Sequence, residues 1–116
     1  MYQMQEQMTV ERKQNVRGGA GAPEFRYLFS ADEVGGRAQL LAIITLQPGE
    51  SIGEHDHTAN GEGYLMLEGE ATVTDGTESR VLRAGDAEFC ADGNTHSIYN
   101  HTDKAAKFFA FILPNR

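Results

Sequence analysis

Three residues within a short stretch have the types and the spacing of metal ligands. His55 and His57 lie two positions apart, and Glu62 follows after a short turn at residues 58–61. Because alternate residues of a strand point to the same face, a strand here would aim both imidazoles together. An antiparallel return after the turn would bring Glu62 back toward them. Two neutral nitrogens and a carboxylate on one concave face are typical of a first-row transition-metal site.

The residues around this stretch resemble the two sequence motifs of the cupin family. Five residues match the first motif, Gly-x5-His-x-His-x4-Glu-x6-Gly, without a gap: Gly49, His55, His57, Glu62 and Gly69. Four residues match the second motif, Gly-x5-Pro-x-Gly-x2-His-x3-Asn: Gly85, Gly93, His96 and Asn100. Ala91 stands where the family has proline, at a corner that carries no ligand. The short spacer at residues 70–84 is similar to that of small single-domain bacterial cupins.

The resemblance implies a divalent transition metal held by four residues: His55, His57, Glu62 and His96. Nitrogen and oxygen ligands do not separate the candidate metals well, so Mn, Fe, Co, Ni, Cu and Zn all stay open. Four protein ligands on an octahedral ion leave two positions for water, dioxygen or a small chelating molecule such as a carboxylate. A closed structural zinc site would more often use thiolates, which this set lacks. We expect an apolar pocket wall formed by Tyr64, Met66, Phe89 and Ile98.

Two classes of function are compatible with such a site. The first is a metal-dependent enzyme, such as a dioxygenase or a decarboxylase, that acts on a small oxygen-rich molecule. The second is a non-catalytic module that binds or senses a small ligand in the same pocket. A sugar isomerase-like activity is a weaker third alternative, because the sequence shows no separate acid–base pair. Fold likeness does not choose among these reactions, so no catalytic residue is assigned.

Other polar residues are predicted to lie outside the site. Glu88 is predicted to face solvent, because an inward carboxylate is costly unless it is paired. His101 matches no motif position and is predicted to be solvated, and Cys90 is predicted to be a small residue of the barrel wall. The glycine-rich segment at residues 15–23 is predicted to be a flexible arm or a turn. A phosphate loop would need a following Gly-Lys-Ser/Thr, which is missing here.

Composition restricts the class of protein. The chain has 116 residues, enough for one domain with one core. Its net charge of −7 argues against nucleic acid as a partner, because phosphate binding needs a basic surface. A single cysteine cannot form an internal disulfide, and the polar N-terminus lacks a signal pattern. No apolar run approaches membrane-spanning length. We therefore expect a cytoplasmic protein that does not contact membranes.

Short apolar and aromatic segments at regular spacing, without a clear amphipathic helix, predict an all-β fold. With the cupin resemblance, this becomes a double-stranded β-helix, or jelly-roll barrel. We expect an N-terminal arm and glycine-rich lead-in at residues 1–24, followed by one barrel domain at residues 25–114. The aromatic final segment, residues 108–112, carries more apolar bulk than one barrel face needs. Together with an open sheet edge, which invites pairing, this predicts a homodimer.

Overall fold

The computed structural model describes residues 1–115, and strands account for most of the regular structure. In chain order these are β1 (Val10–Arg12), β2 (Glu24–Tyr27), β3 (Leu40–Leu46), β4 (Ser51–Asp56), β5 (Asn60–Glu68), β6 (Glu70–Asp75), β7 (Glu78–Arg83), β8 (Ala87–Cys90), β9 (Thr95–Tyr99) and β10 (Ala106–Pro114). Two single-turn 3-10 helices, Gln5–Gln7 and Val16–Gly18, precede β2. Within residues 1–115, no helix is long and apolar enough to cross a membrane.

The strands form two antiparallel sheets that pack face to face. One sheet has the strand order β1-β2-β3-β10-β5-β8, and the other has the order β4-β9-β6-β7. The chain therefore crosses between the sheets repeatedly, so that β4 and β5, which are consecutive in sequence, lie in different sheets. This arrangement confirms the predicted all-β jelly roll.

Strand β10 shows how one sequence pattern supplies both the core and the outer face. Phe108 and Ala110 are fully buried, whereas the alternating Phe109 and Phe111 are only partly buried. The two buried side chains pack into a core between the sheets that includes Ile44, Leu46, Tyr64, Met66 and Ile98. Because a one-residue slip would turn every side chain to the other face, this core fixes the register of the strands. The same register determines which polar side chains point inward.

The segment before β2 is attached to the body of the protein. β1 pairs with β2 at the edge of the six-stranded sheet, and the second 3-10 helix packs against β4 of the other sheet. The Ala20 N–H donates to Ser51 Oγ at 2.9 Å, and the Ser51 N–H donates to the Ala20 carbonyl at 3.0 Å. Of the two expectations for residues 15–23, a flexible arm or a turn, the structure shows a turn packed on β4.

Candidate metal centre

Three strands and one turn bring the four predicted ligands to one point between the sheets. His55 on β4 lies directly opposite His96 on the neighbouring strand β9. His57 follows the end of β4, and Glu62 enters from β5 in the opposite sheet. All four side chains are buried, with His96 only 1% exposed. The jelly roll therefore closes around a polar cluster that neither sheet could form alone.

Glu62 Oε1 is the central atom of this cluster. It lies 3.2 Å from Nε2 of His55, 3.1 Å from Nε2 of His57 and 3.0 Å from Nε2 of His96. The Nε2 atoms of His55 and His96 are themselves 3.1 Å apart. One ligand atom from each of the four residues lies within 4.8 Å of all the others, which is close enough for all four to bind one ion.

Each imidazole is oriented by a partner at its other nitrogen. His55 Nδ1 lies 2.8 Å from the Gly53 carbonyl, and His57 Nδ1 lies 2.8 Å from Asn60 Oδ1. His96 Nδ1 lies 3.0 Å from a carboxylate oxygen of Glu88. All three partners are acceptors, so each Nδ1 carries the proton and each Nε2 presents a lone pair to the cluster in the neutral ring. Three converging lone pairs beside a carboxylate fit a divalent cation.

The charges of the cluster are strongly coupled without an ion. Burial favours the neutral form of Glu62, but hydrogen bonds and charge from His55 and His96 outweigh it and lower the pKa of Glu62 to about 2. Burial also acts to lower the pKa of His96, yet Glu62 and Glu88 on its two nitrogens raise it to about 9. Below about pH 9, a cation that enters the cluster would therefore have to displace a proton from His96.

Comparison with known proteins agrees with this geometry. Residues 42–112 match the cupin domain family. The chain is a cupin. It is 36% identical over 107 residues to the oxalate-binding protein of Thermotoga maritima, a match that covers 92% of this chain and 88% of the relative. It is 32% identical over 89 residues to tetracenomycin polyketide synthase protein TcmJ of Streptomyces glaucescens, covering 77% of this chain and 60% of that relative.

A solved structure is similar along nearly the whole chain of this cupin. The crystal structure of a predicted oxalate decarboxylase from Thermotoga maritima has a TM-score of 0.94 and 35% sequence identity. The match covers 98% of this chain and 99% of the other. Because the N-terminal segment lies inside the matched region, the similarity extends beyond the two cupin motifs.

One side of the cupin cluster opens into a cavity of about 250 Å³, which we call the ligand cavity. Its lining includes three of the ligands, namely His55, His57 and Glu62, together with apolar side chains and Tyr64. The Tyr64 ring stacks on His96 with 4.7 Å between centroids, and its hydroxyl donates to Glu62 Oε1 at 3.3 Å. Burial is the main reason that the pKa of Tyr64 lies well above its usual value, and the negative charge of Glu62 is the second. Tyr64 is therefore a neutral donor that supports the Glu62 carboxylate.

The other three predicted wall residues lie elsewhere. Met66 and Ile98 are fully buried in the core and do not line the ligand cavity. The prediction for Phe89 is wrong, because this side chain is 49% exposed on the outer face and lies beside Phe111. The reason is register: Cys90 pairs with the inward-facing Glu62, so its neighbour Phe89 must point outward. The apolar wall comes instead from Phe25, Leu40, Ile44, Ile52 and Ile112.

Glu88 is the functional residue that the sequence prediction missed. It points inward and contacts His96, so the expectation that it faces solvent is wrong. An inward carboxylate is tolerated here because His96 Nδ1 pairs with it. The available signal was its position two residues before Cys90, which places both on the same strand face. Cys90 is buried in the wall as predicted, and His101 is exposed, with its Nδ1 atom 2.8 Å from Thr72 Oγ1.

Proposed function

We propose that this cupin binds a divalent first-row transition metal and uses it to hold a small dicarboxylate such as oxalate. The four ligands are His55, His57, Glu62 and His96. The observation that carries the proposal is the contact pattern of the three rings, since every Nδ1 atom lies beside an acceptor and every Nε2 atom faces Glu62. A bound ion would supply Lewis acidity and a point of chelation for adjacent oxygens.

The ligand cavity supports a small ligand rather than a large one. Its volume of about 250 Å³ is below the roughly 300–1,000 Å³ of pockets for drug-sized molecules. Its walls are largely apolar side chains, which exclude water from the cluster and strengthen the interactions made there. The oxalate-binding protein of Thermotoga maritima, 36% identical to this chain, is a relative whose named ligand is small enough for such a cavity.

Titration of metal-loaded protein with oxalate tests the proposal. We expect the metal spectrum, recorded with Co²⁺ or Cu²⁺ as the probe, to change on saturable oxalate binding. Glu62→Ala and His96→Ala should lose this response because each removes a ligand. His101→Ala is the matched control, since this histidine is exposed and lies outside the cluster. A wild-type spectrum that oxalate and other chelating acids leave unchanged would contradict the proposal.

Turnover of the bound acid is a second candidate function. The similarity to a structure described as a predicted oxalate decarboxylase favours it. In such a reaction the chain's own residues would hold the acid in an apolar cavity, and the Tyr64 hydroxyl would keep the Glu62 carboxylate in place. Carbon dioxide release and dioxygen consumption, measured under the conditions of the binding titration, distinguish turnover from binding. Saturable oxalate binding with neither carbon dioxide release nor dioxygen consumption would assign the protein to the binding class.

We propose that the protein is a homodimer that pairs through the outer face of the six-stranded sheet. Ile43, Phe109 and Leu65 lie side by side across three strands of this face. Leu67 and Phe89 extend the apolar surface and are 40% and 49% exposed. Exposed apolar side chains grouped in this way are typical of an interaction site.

Sedimentation at micromolar concentration tests the dimer. We expect a dimer mass for wild type and a shift to monomer for Phe109→Arg, which places a charge in the apolar row. Val81→Arg is the control, because Val81 is 39% exposed on the other sheet. A wild-type protein of monomer mass would refute the dimer without affecting the metal site.

A further inference from the structure

We infer that Arg17 and Lys13 determine the specificity of the ligand cavity by binding the negatively charged end of the small acid. The inference rests on the proposed function and extends it to the N-terminal segment, which carries none of the predicted metal ligands. Both residues line the same cavity as His55, His57 and Glu62. The cavity therefore has metal-ligating atoms at one place on its wall and two cations at another.

The charges on the cavity wall favour an anion. Among its lining residues the only carboxylate is Glu62, which belongs to the cluster, whereas Lys13 and Arg17 are both cationic. This is unusual for a chain with a net charge of −7. An oxalate that meets the cluster through two oxygens has two further oxygens that carry the remaining charge. A guanidinium binds two such coplanar oxygens well, because its donors form a planar fork.

Within residues 1–115, Arg12, Arg17 and Arg37 have no ion-pair partner, and of these three only Arg17 lines the ligand cavity. Arg26, Arg80 and Arg83 each lie within 4.0 Å of a glutamate carboxylate. Within residues 1–115, no carboxylate lies within that distance of the Arg17 guanidinium. Lys13 is partly engaged, because its Nζ lies 3.9 Å from Glu11 and 4.7 Å from the centroid of the Phe25 ring. We therefore assign the larger role to Arg17 and the smaller role to Lys13.

The segment that carries Arg17 is held against the metal-binding strand. A Cβ atom on Gly53 would collide with the Arg17 carbonyl, and one on Gly19 would collide with the backbone of Ser51. Only residues without a side chain allow the two backbones to approach so closely. The same Gly53 supplies the carbonyl that orients His55. Backbone contact with Gly53 therefore links the position of Arg17 to that of His55.

The local backbone conformation indicates that the surrounding structure holds Arg17 in place. Arg17 has φ 53° and ψ 34°, and Asn15 has φ 52° and ψ 49°. Non-glycine residues adopt this left-handed conformation rarely, and the surrounding structure must hold them there. The Asn15 side-chain amide donates to the Gly19 carbonyl at 3.0 Å, which closes the turn. The Ala22 N–H donates to Glu50 at 2.8 Å and fixes its C-terminal end.

Calorimetric titration of the metal-loaded full chain with oxalate and with oxamate tests the inference. Oxamate has nearly the same size and one negative charge less. We expect Arg17→Gln to weaken oxalate binding about tenfold, since a hydrogen bond to a charged group is lost. Lys13→Gln should weaken it about threefold. The preference of wild type for oxalate over oxamate should fall in both variants, and Arg17→Lys should recover part of it because the positive charge remains.

Arg80→Gln is the matched control, because Arg80 is exposed and lies away from the ligand cavity. It should bind oxalate as wild type does. Unchanged oxalate affinity in both Arg17→Gln and Lys13→Gln would overturn the inference while leaving the proposed function intact. A loss of metal affinity or of the β-sheet circular dichroism signal in Arg17→Gln would also overturn it, by assigning Arg17 a structural role. A wild type that binds no oxalate would overturn the proposed function, and this inference with it.

Discussion

His96 connects two cavities that differ in charge. Its Nε2 atom faces Glu62 at the wall of the ligand cavity, whereas its Nδ1 atom contacts Glu88. Glu88 lines a second cavity of about 390 Å³, which we call the acidic cavity. Asp75 and Glu78 line it as well, and its one arginine, Arg80, is already paired with Glu78. The ligand cavity has two cations on its wall and the acidic cavity has an excess of carboxylates.

Cavity size alone does not identify the candidate binding site. The acidic cavity is larger, but the lone pairs of the three imidazoles do not face it. Its carboxylates would repel an anionic ligand, whereas Lys13 and Arg17 on the wall of the ligand cavity would attract one. The acidic cavity instead supplies the carboxylate that holds His96 in the tautomer a metal needs. The Nε2 atom of His96 is thus available to a metal, and the Nδ1 atom is held by Glu88.

Removal of a ligand is expected to have the largest effect. His57→Ala should lower metal affinity by more than the roughly 10–100-fold that loss of an outer partner costs, because a direct ligand is lost. Competition with a chromophoric chelator measures this affinity. His101→Ala should bind metal like wild type, since His101 contacts Thr72 rather than the cluster. Equal affinities for the two variants would show that the cluster is not the metal site.

Acidification is expected to weaken metal binding next most strongly. The pKa of His96 is raised to about 9 in the metal-free protein, so the proton is held below that pH and released above it. A metal must displace this proton, and affinity should therefore rise about tenfold for each pH unit between 7 and 9. An affinity that stays flat from pH 5 to 8 would argue against histidine ligation.

Glu88→Gln is expected to have a smaller effect than loss of a ligand. It keeps the shape of the side chain but removes the charge that fixes the His96 Nδ1 proton, and metal affinity should fall about tenfold. Glu78→Gln is the matched control in the same cavity, because Glu78 pairs with Arg80 rather than with a ligand. Isothermal titration with the metal ion compares the two variants. Wild-type metal affinity in Glu88→Gln would show that Glu88 does not position His96 for metal binding.

Neutralisation of Asp75 is expected to have the smallest effect. Asp75 lines the acidic cavity and, after burial, contributes to raising the pKa of Glu88. Because it does not line the ligand cavity, Asp75→Asn should change oxalate affinity by less than about twofold, as is usual for partly exposed charges. The oxalate titration of the metal-loaded protein measures this change. A loss as large as that expected for Arg17→Gln would mean that both cavities contact the anion.

The sequence contained enough information to predict the fold and to select the cluster. Period-two alternation placed His55 and His57 on one face, and the motif spacing added Glu62 and His96. The alternation is a local pattern, and the motif spacing is a fixed set of distances typical of a known family. The all-β prediction followed from the same kind of regularity, because strand period and turn residues are written along the chain.

Contacts between distant segments decided the remaining features. The inward face of β8 depends on the pairing of Cys90 with Glu62, which turned Glu88 inward and Phe89 outward against the sequence prediction. Strand alternation alone allows either set of alternate residues in β8 to face inward. The apolar side chain of Phe89 favoured the wrong set. Arg17 reached the ligand cavity because its segment packs on Gly53, which is far away in sequence. The sequence determined which atoms can bind a metal, and the tertiary structure decided which charges surround them, because only packing brings residues so far apart in the chain into contact.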